Sequence, residues 1–123
     1  MSLNIYAAHS SNIDFEKYYQ VLKDSELHTE HNIIYPHDET EEQFDSYTFF
    51  HTDCDLIIAE VSAPSTGIGI ELGWAYDADI PIIAIHSIDS KPTQAIFEVT
   101  KMVYEYDSDE ELISTLKNSW KAL

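Results

Sequence analysis

Asp55-Leu56-Ile57-Ile58-Ala59-Glu60-Val61-Ser62-Ala63-Pro64-Ser65-Thr66-Gly67-Ile68-Gly69-Ile70-Glu71-Leu72-Gly73 decides how this chain folds. Its first half is a short, unbroken apolar run, too short for a helix and without the alternation of a half-exposed strand. It reads as a strand buried on both faces. A Pro-Ser turn follows, and the apolar spacing then changes to that of a helix over residues 68–77. A buried strand that feeds a helix through a short turn is the first half of a parallel crossover unit.

The same alternation extends outward in both directions. Residues 3–8 and 81–86 are further buried strands, and 33–35 and 102–106 are shorter ones. Between them lie amphipathic stretches at 14–23, with Phe15, Tyr18, Tyr19 and Leu22 on one face, and at 39–51, with Phe44, Tyr47, Phe50 and His51 on another. His37 and Asp38 are the expected cap of the second. A last helix is expected over 109–121, with Leu112, Ile113, Leu116 and Trp120 inward. Part of 87–100 reads as helical. The expected fold is α/β: a five-stranded doubly wound parallel sheet, a flavodoxin- or Rossmann-like three-layer sandwich, in one domain over residues 1–123. Ligands of such folds sit beyond the carboxyl ends of the strands. Here that rim is 8–12, 60–69 and 86–91.

Composition excludes several classes of function. The formal charge is −17, and the six basic residues are all lysines. A nucleic-acid polymer needs a basic face, so none is expected as partner. No apolar run approaches the ~20 residues that span a membrane. The start of the sequence lacks the basic flank and cleavage site of a secretory leader, and the lone Cys54 cannot close an internal disulfide; both fit a cytoplasmic protein. Cys54 itself reads as a small buried thiol.

The turn and helix at 62–73 also carry the candidate chemistry. Gly67 and Gly69 permit close approach of a ligand to the backbone, and the helix start, with the hydroxyls of Ser65 and Thr66, offers donors to an anion. The positive helix end would keep Glu71 ionised, as a nucleophile must be. On residue types alone a second reading stands beside this one: a turn whose glycines serve helix–sheet packing, with Glu71 solvated. The spacing matches neither a P-loop nor a dinucleotide fingerprint.

Residues 55–73, together with the opening Ile5-Tyr6-Ala7-Ala8 and its polar loop, resemble the signature of the nucleoside 2-deoxyribosyltransferase-like family, most closely its branch of 2′-deoxynucleoside 5′-phosphate N-hydrolases. The resemblance implies cleavage or transfer at the N-glycosidic bond of a nucleoside or its 5′-monophosphate, with Glu71 as nucleophile through a covalent glycosyl intermediate. Tyr6 falls on the family's active-site tyrosine. Ser65 and Ser10 point to a 5′-phosphate, because transferases of free nucleosides tend to hold an aspartate where Ser65 stands. No cofactor or metal is implied, and the partners are a small nucleoside or nucleotide and further copies of the chain, with residues 87–94 reaching a neighbouring site.

Two positions depart from that pattern. Asn12 stands where the hydrolases carry an arginine for the phosphate, and Tyr47 stands where the family places the aspartate that assists the leaving base. Tyr47 or Tyr6 would then have to give the proton, or the domain would be a nucleotide-binding or sensing module without turnover. His28, His31 and His37 lack a zinc-type spacing and read as surface residues. His9 and His86 lie on the rim and are candidates for ligand contact.

Overall fold

The computed structural model describes residues 2–38 and 44–123. Its elements run β1 (Asn4–His9), α1 (Phe15–Lys23), α2 (Glu26–Glu30), β2 (Asn32–Ile34), α3 (Ser46–Thr52), β3 (Leu56–Glu60), α4 (Thr66–Asp77), β4 (Ile82–Ser87), α5 (Ile96–Val99), β5 (Val103–Tyr106) and α6 (Asp109–Trp120). The five strands form one parallel sheet in the order β2-β1-β3-β4-β5, so the expected doubly wound α/β architecture is present. Chain direction across the sheet reverses at β1, with β2 on one side and β3 on the other. That places the crevice for a ligand beyond the ends of β1 and β3.

Alternate residues of each strand feed two cores. Ile5, Ala7, Leu56, Ile58, Ile83 and Ile85 pack under α1, α2 and α6 with Tyr18, Leu22, Leu112 and Leu116. Tyr6, Ala8, Ile57, Ala59, Ile82 and Ala84 pack under α3, α4 and α5 with Phe50, Ile68, Leu72, Ala75 and Ile96. Strands apolar on both faces are what two helical layers require. Tyr6 therefore faces the α3–α4 layer and His9, three residues on, the α1 layer.

Local signals set most boundaries. Asp14, Asp45, Ser65 and Ser108 cap α1, α3, α4 and α6 through side-chain oxygens that accept the backbone N–H three residues on. The helix expected over 39–51 begins only at Ser46, capped by Asp45 rather than by His37 or Asp38; residues 39–43 lie outside those described. Its buried residues are Ser46 and Phe50, whereas Tyr47 and His51 are exposed. Helix α4 starts two residues earlier than the periodicity suggests, because Ser65 caps it directly after the turn. The short α2 carries too little apolar periodicity to be read in advance.

Cys54 is half-buried and donates to the Leu56 carbonyl, and burial pushes its thiol up to about 11. A thiol so raised carries little of the thiolate, which is the reactive form. Among the described residues, no helix is long and apolar enough to cross a membrane.

Candidate active site

Beyond the ends of β1 and β3 lies a cavity of about 220 Å³ lined by Tyr6, His9, Ser11, Pro36, His37, Phe44, Ser46, Ser65, Gly67, Ile68, Ile70, Glu71 and Trp74. Its floor is a polar pair, buried Tyr6 and half-buried Glu71: the Tyr6 hydroxyl donates a short hydrogen bond to Oε2 of Glu71. Tyr6 is held by the T-shaped packing of Phe50, at 4.9 Å, and the stacking of Phe44, at 5.9 Å. Ser46, buried at the first turn of α3, lies beside both members of the pair.

Glu71 stands in the second turn of α4, not at its start. The macrodipole fades within the first turn, so it does not by itself hold this carboxylate ionised. Burial raises the pKa of Glu71 above the usual carboxylate value, and the Tyr6 and Ser46 hydroxyls and the nearby His37 oppose that rise. Burial, the Glu71 charge and the hydrogen bond to it push the Tyr6 phenol far above its ordinary value, so Tyr6 remains a donor.

The glycines divide. A helical side chain covers the turn before its own Cα, so Glu71 reaches back over Gly67. A Cβ added at Gly67 would meet no atom within 4 Å, and the residue lines the cavity. Gly69 is exposed and is not part of that lining. Neither glycine has the positive φ that would demand it.

Ser65 lines the cavity while its Oγ accepts the Ile68 N–H at 3.4 Å. The N–H groups of Thr66 and Gly67 are then available at the helix start. Ser10 and Asn12 act differently from a ligand-facing pair. Ser10 is fully buried, and its Oγ accepts the Asn12 N–H at 3.0 Å and donates to the Pro64 carbonyl at 3.5 Å. Asn12 Nδ2 donates to the same carbonyl at 2.9 Å. Together they tie the loop after β1 to the loop before α4, and Ser11 between them faces the cavity.

Tyr47 points away from the pair. It is half exposed, with its ring 4.3 Å from that of His51 and 5.2 Å from that of Trp74, in a separate shallow hollow beside the cavity mouth.

Of the histidines, the sequence brings His9 to the cavity as expected and His37 unexpectedly. His9 is buried with both ring nitrogens engaged. Nδ1 meets the Ser10 carbonyl at 2.9 Å and so must carry the proton, which leaves Nε2 to accept from the Tyr19 hydroxyl at 2.7 Å. Burial lowers its pKa, so it is neutral. The His37 N–H donates to the same Tyr19 hydroxyl at 3.1 Å, which places its ring 5.3 Å from that of His9. The signal for His37 was its place just after the second strand, on the same rim. His86 lies on the α4–α5 face, bonded to the Ser87 carbonyl at 3.0 Å, outside the cavity. Among the described residues, no group of three or more His, Cys, Asp or Glu side chains is arranged to hold a metal ion.

No protein-family model matches the chain. Over 75 residues it is 36% identical to the protein named "Putative 2'-deoxynucleoside 5'-phosphate N-hydrolase 1" of Syntrophotalea carbinolica; the match covers 58% of this chain and 53% of that relative. The chain thus spans about half the length of the curated relative it matches. Among solved structures, CMP N-glycosidase of Clostridium botulinum superposes with a TM-score of 0.66 at 22% identity, over 94% of this chain and 98% of that one. A conserved protein from Enterococcus faecalis V583 follows with a TM-score of 0.61 at 15% identity, over 97% and 99%. The resemblance to 2′-deoxynucleoside 5′-phosphate N-hydrolases read from the sequence is matched by that 36% identity, and the solved structures share the fold.

Proposed function

We propose that this chain is an enzyme that breaks the N-glycosidic bond of a nucleoside or its 5′-monophosphate, with Glu71 as the nucleophile. The observation that carries the reading is the hydrogen-bonded Tyr6–Glu71 pair on the floor of a cavity bordered by the start of α4. The ionised Glu71 attacks the anomeric carbon, and the bond to the base breaks as the bond to the carboxylate forms. Water, or a second base in a transferase, then displaces Glu71 from the sugar. Tyr6 fixes the carboxylate and blunts its basicity, and Ser46 steadies the pair.

The sugar lies over Glu71, with its 5′ end toward Ser65 and the N–H groups that begin α4. Ser65 holds the place of a phosphate ligand rather than of a carboxylate that would repel one. The names borne by the relatives, an N-hydrolase of deoxynucleoside phosphates and a CMP N-glycosidase, agree with nucleotide chemistry at such a site. Ser10 and Asn12 set the relative position of the two loops that frame this end. A second copy of the chain closing the mouth belongs to the same reading: Ile70 and Tyr47 stand about half exposed there, an apolar border beside Trp74.

One observation favours a binding module instead. Among the described residues, the cavity lining holds a single carboxylate, whereas retaining glycoside chemistry uses two. The test is release of free base from a panel of nucleosides, deoxynucleosides and their 5′-monophosphates, followed by chromatography, with Glu71→Ala alongside. Release that disappears in the variant supports the enzyme and sorts hydroxyl from phosphate substrates. Thermal stabilisation by a panel member without any release assigns the chain to ligand binding.

A further inference from the structure

We infer that His37 is the group that gives a proton to the departing base and takes one back from the attacking water. The inference rests on the glycosidic reading above. It begins from a chemical need: a purine or pyrimidine leaves poorly as an anion, so the bond to it breaks more readily when a ring nitrogen or carbonyl oxygen is protonated as it departs.

The cavity lining narrows the donors. Glu71 is committed to the sugar. The Tyr6 hydroxyl is bound to Glu71, and burial beside that carboxylate makes the phenol a weaker acid still. Tyr47 lies outside the lining. His9 is held neutral between the Ser10 carbonyl and the Tyr19 hydroxyl, with no ring nitrogen left for a ligand. His37 remains. It is exposed, it lines the same cavity as Glu71, and among the described residues nothing hydrogen-bonds its ring.

Position agrees with that role. Ser65 and Gly67 border the cavity from the β3 side, where α4 begins, while Pro36 and His37 border it from the loop after β2, across β1. A nucleotide with its 5′ end at α4 and its anomeric carbon over Glu71 therefore extends its base toward His37. The loop is anchored there through the His37 N–H on the Tyr19 hydroxyl, and the ring rests near Phe15 at 5.7 Å and His9 at 5.3 Å.

The steps balance. The imidazolium of His37 gives its proton to the base as the glycosidic electron pair moves onto the base and the Glu71 carboxylate bonds to the anomeric carbon. Neutral His37 then accepts a proton from water as the water oxygen bonds to that carbon. Glu71 leaves as a carboxylate, and His37 is again an imidazolium.

The experiment compares His37→Gln with the unsubstituted chain on two substrates. One is an ordinary deoxynucleoside 5′-monophosphate; the other carries an N7-methylated purine, which departs neutral without a donated proton. Loss of a general acid predicts a fall of about 100-fold or more in kcat on the ordinary substrate. On the methylated one the fall is expected to be smaller than about tenfold, because no proton is then required of the protein. Glu71→Ala loses both, since the nucleophile serves either base, and melting curves verify that each variant is folded. Equal losses on both substrates would make His37 a structural or binding residue, and full activity on the ordinary one would remove it from the chemistry; either result overturns the inference while leaving the glycosidic reading intact. No release of either base by the unsubstituted chain overturns both.

Discussion

The hydroxyl of Tyr6, on the first strand, and the carboxylate of Glu71, on the fourth helix, meet in a short hydrogen bond although 65 residues separate them in sequence. Burial makes the carboxylate harder to ionise, and the phenol opposes that effect. Each residue alone is unremarkable for its element; the crossover fold makes them a pair. Tyr6→Phe removes one of the influences that lower the Glu71 pKa, so that pKa rises further. The proposed attack requires the ionised form, and the acidic limb of the kcat/KM profile is accordingly expected to move to higher pH. The rate at the optimum falls by about 10- to 100-fold, the worth of one hydrogen bond to a charged group. An unmoved acidic limb would separate Tyr6 from the ionisation of Glu71.

The same raised pKa makes a prediction about stability. Glu71 binds its proton more tightly in the folded chain than in the unfolded one. Its contribution to stability is therefore fully present below the ordinary carboxylate value of 4.5 and is lost as pH rises through the higher folded value. Glu71→Gln keeps an acceptor for Tyr6 and removes the partly desolvated charge. At neutral pH the variant should be more stable by on the order of 1 kcal/mol, about 4 °C in Tm, and the difference should shrink toward zero as pH falls to the carboxylate range. Melting curves across that range check it. A Gln variant less stable at pH 7 would mean that the carboxylate is better solvated than its burial implies.

The sheet was legible because buried strands leave an uninterrupted apolar record: Leu56 to Ala59 and Ile82 to Ile85 admit no other element. The floor of the site was legible in the same way, since Tyr6 and Glu71 belong to the stretches that carry the family pattern. The register of α3 was not. One apolar stripe through Phe44, Tyr47, Phe50 and His51 was expected, whereas the helix that starts at Ser46 behind the Asp45 cap buries Ser46 and Phe50 and leaves Tyr47 out. One step along a helix is 100°, enough to exchange a site residue for a surface one. Nor was the difference between Ser65, which lines the cavity, and Ser10, which ties loops, because it depends on the Pro64 carbonyl, a backbone atom that no side-chain pattern reveals.

Ser46 and Tyr47 offer the test of that register. Ser46→Ala takes a hydroxyl from beside Glu71 and Tyr6, where it helps to keep the carboxylate ionised. Its kcat/KM should fall by about tenfold, the lower end of what a hydroxyl beside a charged group contributes, with the acidic limb displaced upward as in Tyr6→Phe. Tyr47→Ala, at an exposed ring, should leave the acidic limb where it is and alter KM alone. The reverse pattern, with Tyr47 moving the limb and Ser46 silent, would place α3 one residue out of register in solution.

Gly67 and Gly69 separate stability from function on one helix. Both lie in the first turns of α4 at ordinary helical φ, and a Cβ at either meets no atom within 4 Å. Alanine at either site should stabilise the fold by about 0.5–1 kcal/mol, because it removes freedom from the unfolded chain without a clash. The consequences for activity differ. Gly69 faces solvent, so Gly69→Ala should match the unsubstituted chain in kcat and KM. The open space at Gly67 is the cavity itself, one turn before Glu71, and a side chain there occupies the volume through which the proposed substrate's sugar would approach the carboxylate. Gly67→Ala should raise KM several-fold, and Gly67→Leu should abolish turnover while the protein melts no lower. Full turnover by Gly67→Leu would mean that the substrate does not approach Glu71 along the start of α4, and the placing of its 5′ end near Ser65 would fall with that approach.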